Sequence, residues 1–578
     1  MAFAKSEDMK KLFFGLTLLL FLACKNNNNN SGTSSDNDET NTEKSESNKK
    51  ITKRDLSITP ANSYNDLFLD SADIAKFIAD QKLNDTLTRR IRSFYNARNY
   101  QFAWFASDGL TEQAREFWNL HQYYTTYNKD KSLTDKNLQK RMQHLVTAED
   151  LVIKASEKSS LNTELLLTQH FIQYILKNYE TGVIKRKELE RFVPRKKEDA
   201  MYLADSLLTK KHKDNKYYED TNEQYKKLKD QLQNYYNIAK NGGWPAIISE
   251  KKKYKKGMSS PEILSIKRRL QATGDLAATD TTTVYDDKLE EAIKTFQIRH
   301  GYTPNGVISA ALIKDMNVPV EQRIQQLLIN MNRMRWMPNK PSGNLIMVNI
   351  PEFVLHFYEG NTKVRDMPVV VGKEGHNTVA FTGSLNQVVF SPYWNVTPDI
   401  VKEEIIPAMQ KDPDYLARNE MEQTGEEDGI PVIRQLPGEK NSLGKVKFLF
   451  PNDFNIYFHD TPAKGLFEKD KRAYSHGCIR LSDPVWLANY LLRDQKEWTP
   501  EKTDEAMNKG EEQFVKLKKP VPVFITYYTA WVDENGLLNF RDDIYNHDEK
   551  LARKMFVNPF SSAIEKTDIS KNKEKKQD

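Results

Sequence analysis

Residues Ser475-His476-Gly477-Cys478-Ile479-Arg480 place a thiol between an imidazole and a guanidinium, and a second imidazole, His459, stands nineteen positions before the thiol. Only two cysteines occur in 578 residues. The other, Cys24, closes an apolar N-terminal run, so Cys478 is the one thiol expected in the folded part. A thiol without a disulfide partner is a liability in an oxidising compartment unless it has work to do. Two imidazoles and Arg480 nearby would favour the thiolate, the nucleophilic form. His459 can take the thiol proton and later return it to a leaving amine. Gly477 lets the backbone approach a substrate carbonyl. The N–H groups around Gly477 and Cys478 are candidate oxyanion donors, a contribution on the order of 3 kcal/mol. Arg480 can grip a substrate carboxylate bidentately or hold the loop through an ion pair. Ser475 and His476 are read as loop residues, with His476 orienting the turn or supporting the oxyanion. The combination reads as cysteine acyl transfer.

Other uses of these residues fit less well. Zinc on His459, His476, Cys478 and Asp460 would lack a regular ligand spacing. Papain-like and NlpC-type peptidases place Cys before His in the chain, whereas His459 precedes Cys478. A non-catalytic wall-binding lipoprotein has no use for an oxidisable thiol. No metal and no organic cofactor is expected, because exchange of one peptide bond for another supplies its own energy.

The elements around the motif suggest how it is positioned. Ser482-Asp483-Pro484 has the signature of a helix start, with Leu487, Ala488, Leu491 and Leu492 behind it. Tyr457-Phe458-His459 ends a strand-like run. Further runs at 345–350, 354–358, 369–371, 388–390, 446–450, 455–458 and 521–527 predict short strands closing into a sandwich or barrel. Upstream the period is helical from about Asn62 to Trp244, for example at Ile74, Phe77 and Ile78. A second helical stretch carries Ile263, Ile266 and Leu270, then Leu289, Ile293 and Phe296.

These motifs resemble known families. The stretch from about Gly343 to Tyr528, with His459 and Ser475–Arg480, resembles the YkuD-type L,D-transpeptidase catalytic domain. Phe296-Gln297, Gly301-Tyr302 and Asn305-Gly306-Val307-Ile308 resemble the three-helix peptidoglycan-binding module. Phe94 to Tyr100, Ala103-Trp104 and Asp108-Gly109-Leu110 resemble the scaffold of large L,D-transpeptidases, although their aromatics read as helix core and receive no catalytic role. The order of the three regions resembles the large YcbB-like subfamily. The resemblance implies His459 as general base and acid, Tyr457 and Trp394 as pocket residues, and a helical insertion capping the site over about 398–445. It further implies that peptidoglycan stem peptides are the substrates and 3→3 crosslinks the product. An L,D-carboxypeptidase or a protein-to-wall attachment enzyme would use the same residues with a different acceptor.

The expected fold is a multidomain α+β chain: signal 1–23, disordered tether 24–60, helical scaffold 61–257, peptidoglycan-binding-like module 258–318, mostly-β catalytic domain 343–530, and C-terminal extension 531–578. Lys5, Lys10 and Lys11 precede the apolar run Leu12–Ala23, which is too short to span a bilayer. Leu22-Ala23-Cys24 resembles a bacterial lipobox, which implies lipidation of Cys24 and a lipoprotein facing the periplasm from the outer membrane. Charged residues make up 29% of the chain and the net charge is only +6. Basic clusters such as Arg195-Lys196-Lys197 therefore read as solvated faces, and no nucleic-acid partner is expected.

Overall fold

The computed structural model describes residues 50–127, 131–148, 151–179, 192–209, 222–277, 281–338 and 340–560. The expected signal, Cys24 and most of the tether lie outside these residues. Residues 51–560 belong to one compact unit. The chain is anchored earlier than position 60: Asn96 donates to the Thr52 carbonyl at 2.7 Å, and Ile58 is fully buried.

Amphipathic periodicity gives the helices Ser71–Asp80, Asp85–Asn96, Glu112–Tyr127, Lys136–Thr147, Lys158–Tyr179, Ala200–Leu208 and Glu223–Lys240. They enclose an aromatic core in which Trp104, Phe117, Phe171 and Trp336 meet edge-on or tilted. Ala103 and Trp104, expected in a helix, lie instead in a bend that follows two left-handed residues, Asn99 and Tyr100. Glu164 replaces the missing helical bonds by accepting from the amides of Ala103 (2.6 Å) and Trp104 (2.9 Å). The second region forms the three helices Pro261–Ala272, Asp287–Arg299 and Ala310–Met316 around its own core.

Two segments join regions that the sequence reading kept apart. The helix Val320–Met334 is buried almost throughout, polar residues included, and belongs to the N-terminal core. Its Arg333 pairs with Glu112 at 2.7 Å and with Asp548 at 2.5 Å. The supposed C-terminal extension supplies Val532, Leu538, Phe540 and Leu551 to that same core.

The catalytic region is built on β1 (Asn344–Asn349), β2 (Val354–Glu359), β3 (Thr362–Gly372), β4 (Phe381–Phe390), β5 (Trp394–Asn395), β6 (Met421–Glu427), β7 (Ile430–Gln435), β8 (Val446–Leu449), β9 (Phe458–His459), β10 (Ala473–Ser475), β11 (Ile479–Leu481) and β12 (Gln513–Thr526). Nine of these form one sheet in the order β10-β3-β11-β9-β8-β4-β12-β1-β2, and a further pairing of β2 with β3 closes it on itself. Val348, Phe357, Val388, Phe448, Phe458, Ile479 and Leu487 fill its interior.

The capping insertion is only partly helical. A helix over 398–411 and a helical turn at Tyr415–Arg418 are followed by the antiparallel pair β6–β7, with β5 on its edge. Asp428 and Gly429 both take positive φ at the hairpin tip, as an Asp-Gly type I′ turn requires. Val401 to Ile405 form a wide π turn just before Pro407. Proline has no N–H to return to the Glu403 carbonyl and its ring crowds that carbonyl, so the helix opens there. Val396, Val401, Ile405 and Ile433 give the cap a small core of its own.

Candidate active site

β9 and β11 run parallel, with Phe458 opposite Ile479 and His459 opposite Arg480. Side chains alternate along a strand, so Phe458 and Ile479 point one way and their neighbours the other. Both are fully buried in the barrel core. Tyr457, His459, Cys478 and Arg480 therefore share the opposite face. Cys478 is one residue ahead of β11, and the Ile479 amide bonds the Tyr457 carbonyl at 3.1 Å, which carries the register to the thiol.

The turn that presents Cys478 is tied from three sides. Ser475 Oγ donates to the Cys478 carbonyl at 2.5 Å. Gly477 has φ +107°, a value few other residues adopt. Thr378 Oγ1 donates to the Gly477 carbonyl at 2.7 Å and accepts from the Gly372 amide at 2.9 Å. Tyr545 then bonds both sides of that link: its hydroxyl donates to the Gly372 carbonyl at 2.6 Å and accepts from the Thr378 amide at 3.2 Å. Gly477 N–H, expected to face a substrate oxygen, turns inward to Ser475 Oγ at 3.3 Å.

His459 is 3% exposed, and its Nδ1 lies 2.5 Å from the Asp460 carbonyl. A carbonyl can only accept, so the proton sits on Nδ1 and Nε2 keeps its lone pair. Burial first, and then the Arg480 charge, lower the His459 pKa to about 3. Asp460 is itself pinned, its carboxylate accepting from the Lys445 amide at 2.9 Å and from Lys464 Nζ at 2.5 Å. A Cβ at Gly444 would collide with that carboxylate, so glycine is required there.

The thiolate expectation fails. Cys478 is partly exposed, but surrounding groups strip water from the sulfur and push its pKa up to about 11. Hydrogen bonds from the Tyr457 backbone and hydroxyl, and the charge of Arg480, oppose the shift without reversing it. The thiol donates to the Asn455 carbonyl at 3.6 Å. Asn455 is left-handed, at φ +54°, and the expected strand 455–458 starts only at Phe458. Burial thus favours the neutral thiol at Cys478 and the neutral imidazole at His459.

The remaining expected residues divide. Arg480 is half-buried and its Nε lies buried with no hydrogen-bond partner among the described groups, so no loop-holding ion pair appears there. Tyr457 lies at the sulfur, with its ring 5.8 Å from that of His459. His476 turns towards the cap, its Nε2 2.9 Å from Glu404 Oε1. Trp394 pairs with Gln435 at the root of the cap and packs on the cap's own core. Thr378, Tyr545, Lys373, His376 and Glu404 were not singled out from the sequence. Gly372, likewise not singled out, must be glycine, since a Cβ there would strike the His376 carbonyl. Among the described residues, no group of three or more His, Cys, Asp or Glu side chains is arranged to hold a metal ion.

Residues 343–523 match the family model described as the L,D-transpeptidase catalytic domain. Residues 89–232 match one described as a scaffold domain, and residues 259–316 match one described, provisionally, as a peptidoglycan binding domain. A Haemophilus influenzae protein whose name provisionally assigns it as an L,D-transpeptidase is 30% identical over 243 residues, 39% of this chain and 49% of the relative. The chain thus spans about half the length of the curated relative it matches. Among solved structures, an L,D-transpeptidase from Mycobacterium smegmatis is 14% identical, covering 32% of this chain and 60% of its own, with a TM-score of 0.19. One from Stackebrandtia nassauensis is 12% identical, covering 48% and 97%, with a TM-score of 0.20.

Proposed function

We propose that this chain is a peptidoglycan L,D-transpeptidase that forms 3→3 crosslinks through an acyl-enzyme on Cys478. The observation that carries the reading is the parallel β9–β11 register, which puts Tyr457, His459, Cys478 and Arg480 on one face of the barrel. The match of residues 343–523 supports the reaction class.

In this reading, His459 Nε2 takes the thiol proton as Cys478 Sγ attacks the carbonyl of the L-centred third stem residue. Because the resting pair is neutral, proton transfer accompanies attack rather than preceding it. The tetrahedral oxyanion faces the Cys478 amide and the Tyr457 hydroxyl, and Arg480 holds a substrate carboxylate. The C–N bond to the terminal D-residue breaks and its amine leaves with the proton from His459, giving a thioester. A side-chain amine of a second stem then attacks the thioester while His459 takes its proton, and the thiol is restored. Water as acceptor would make the same site a carboxypeptidase, and a protein amine would make it an attachment enzyme.

Mass spectrometry of wall fragments after incubation with wild type and with Cys478→Ala tests the proposal. Crosslinked dimers with wild type only are expected. Dimers from the alanine variant would refute the nucleophile, and trimmed monomers alone from wild type would assign the carboxypeptidase reaction. We further propose a lipoprotein anchored through Cys24 and facing the periplasm from the outer membrane, on the strength of the apolar run that stops at Leu22-Ala23-Cys24. Cys24→Ala should leave the membrane pellet; retention after a high-salt wash would refute the anchor.

A further inference from the structure

Beside the nucleophile turn, three nitrogen-bearing side chains of the barrel meet carboxylates of the cap. Lys373 Nζ lies 3.3 Å from His476 Nε2. The rings of His376 and His476 meet edge to face, 4.6 Å apart. From the π turn of the cap, Glu404 Oε1 reaches His476 Nε2 at 2.9 Å, and Glu403 Oε2 stands 4.0 Å from His376 Nε2. The three barrel residues are held firmly. Lys373 donates its amide to the Ser475 carbonyl and accepts from the His376 amide, both at 2.9 Å. The turn they occupy folds back so tightly on Gly372 that no other residue fits there. His476 is two residues from Cys478.

The cap side is built differently. Val401 and Ile405 anchor the π turn in the cap's own core, while Glu403 and Glu404 hang from its opposite side, 62% and 49% exposed. A carboxylate that wet exchanges readily with another carboxylate, since a partly exposed ion pair is worth about 0–1 kcal/mol. His476 Nε2 can donate to a carboxylate or accept from Lys373, not both. The carboxylate at 2.9 Å sets it as a donor, and the Lys373 ammonium supplies the charge.

We propose that Lys373, His376 and His476 form a carboxylate seat beside the nucleophile turn, filled by Glu404 of the cap until a carboxylate of the donor peptide displaces it. The identity of that ligand rests on the transpeptidase reading, in which the departing D-residue carries a free carboxylate a few bonds from the scissile carbonyl. Displacing Glu404 releases a polar contact between cap and barrel, so occupancy of the seat and lifting of the cap are one event.

Alkylation of Cys478 by iodoacetate and by iodoacetamide tests this without any wall substrate, because the two reagents differ by one carboxylate. Rates are read at the Cys478 peptide of the full chain by mass mapping, as the ratio of iodoacetate to iodoacetamide. Glu404→Gln empties the seat and should raise the ratio roughly twofold to fivefold, the span of one partly exposed ion pair. Lys373→Met should change the ratio little in wild type, where the seat is filled, and abolish the gain in the Glu404→Gln background. An unchanged ratio in Glu404→Gln would overturn the proposal. So would effects of the two substitutions that simply multiply, as two charges acting through space would. A wild type that makes no crosslinks while the two effects remain coupled would refute the transpeptidase reading and leave the seat standing.

Discussion

A Cys478 thiol held near 11 by burial should react slowly with a simple electrophile at neutral pH, and the size of the effect can be worked out. At pH 8 a group of pKa 11 is about 0.1% thiolate, whereas an ordinary thiol near 8.5 is about a quarter ionised, a deficit of about two hundredfold. The more basic thiolate recovers part of this, because nucleophilicity rises with pKa at a Brønsted slope of about 0.4–0.5, or roughly tenfold over this interval. Iodoacetamide should therefore modify Cys478 about twentyfold more slowly than free cysteine at pH 8, with the rate climbing about tenfold per pH unit towards pH 10. The linkage has a sign. A thiol raised in the folded state stabilises the fold below its unfolded pKa and loses that contribution as pH rises towards the folded one. Stability should accordingly fall between about pH 8.5 and 11 in wild type, and less so in Cys478→Ala. Peptide mapping of the alkylated protein across pH 6–10 is the assay. A rate at pH 8 equal to that of free cysteine, or a plateau reached below pH 8, would mean a resting thiolate–imidazolium pair and would refute the neutral resting site.

Tyr545→Phe removes one hydroxyl that satisfies two buried backbone groups, Gly372 O and Thr378 N. It should cost about 1–3 kcal/mol in urea denaturation and lower kcat with KM little changed, because the Gly477 carbonyl loses its support through Thr378; an unchanged kcat would make Tyr545 merely structural. Asp548→Ala leaves Arg333 buried with only half of its pairing, and should destabilise the chain by about 3–5 kcal/mol; a loss under about 1 kcal/mol would show that Glu112 alone satisfies Arg333.

The candidate site was legible because its motif is written locally. A lone Cys in Ser-His-Gly-Cys-x-Arg and a preceding His at the end of a strand-like run needed no tertiary knowledge. What stayed hidden depended on chain closure. Thr378 reaches Gly477 across 99 positions and Tyr545 reaches Gly372 across 173, and neither has an unusual local sequence. The helix Val320–Met334 was not assigned because its Arg, Gln and Asn residues imitate a solvated face. They are buried because Asn330, Arg333 and Gln326 bond Thr529, Asp548 and backbone near Arg541. Two misreadings had visible signals. Asp428-Gly429 between Met421 and Gln435 marks a hairpin within the cap, and Asn535-Gly536 between Trp531 and Leu538 marks another in the C-terminal segment. Both were passed over because glutamates crowd the first and the second follows the expected end of the domain.

The position of the C-terminal segment changes what the catalytic unit is. The family match ends at Val523, inside β12, yet the clamp on the nucleophile turn comes from Tyr545. From there the chain continues into the helix His547–Met555, whose Asp548 pairs with Arg333 in the N-terminal core. Gln326 and Asn330 of the same buried helix meet Thr529 from the other side. Arg299 of the three-helix module donates to the Leu538 carbonyl at 2.6 Å, and Arg541 returns a bond to the Arg299 carbonyl at 2.8 Å. One stretch of about thirty residues therefore touches the catalytic turn, the helical scaffold and the peptidoglycan-binding-like module. A displacement of either helical region has a path of buried hydrogen bonds to Gly372 and Gly477, and hence to the thiol. The geometry at Cys478 is a property of the assembled chain, although the candidate site residues all lie in the region that matches the catalytic-domain model.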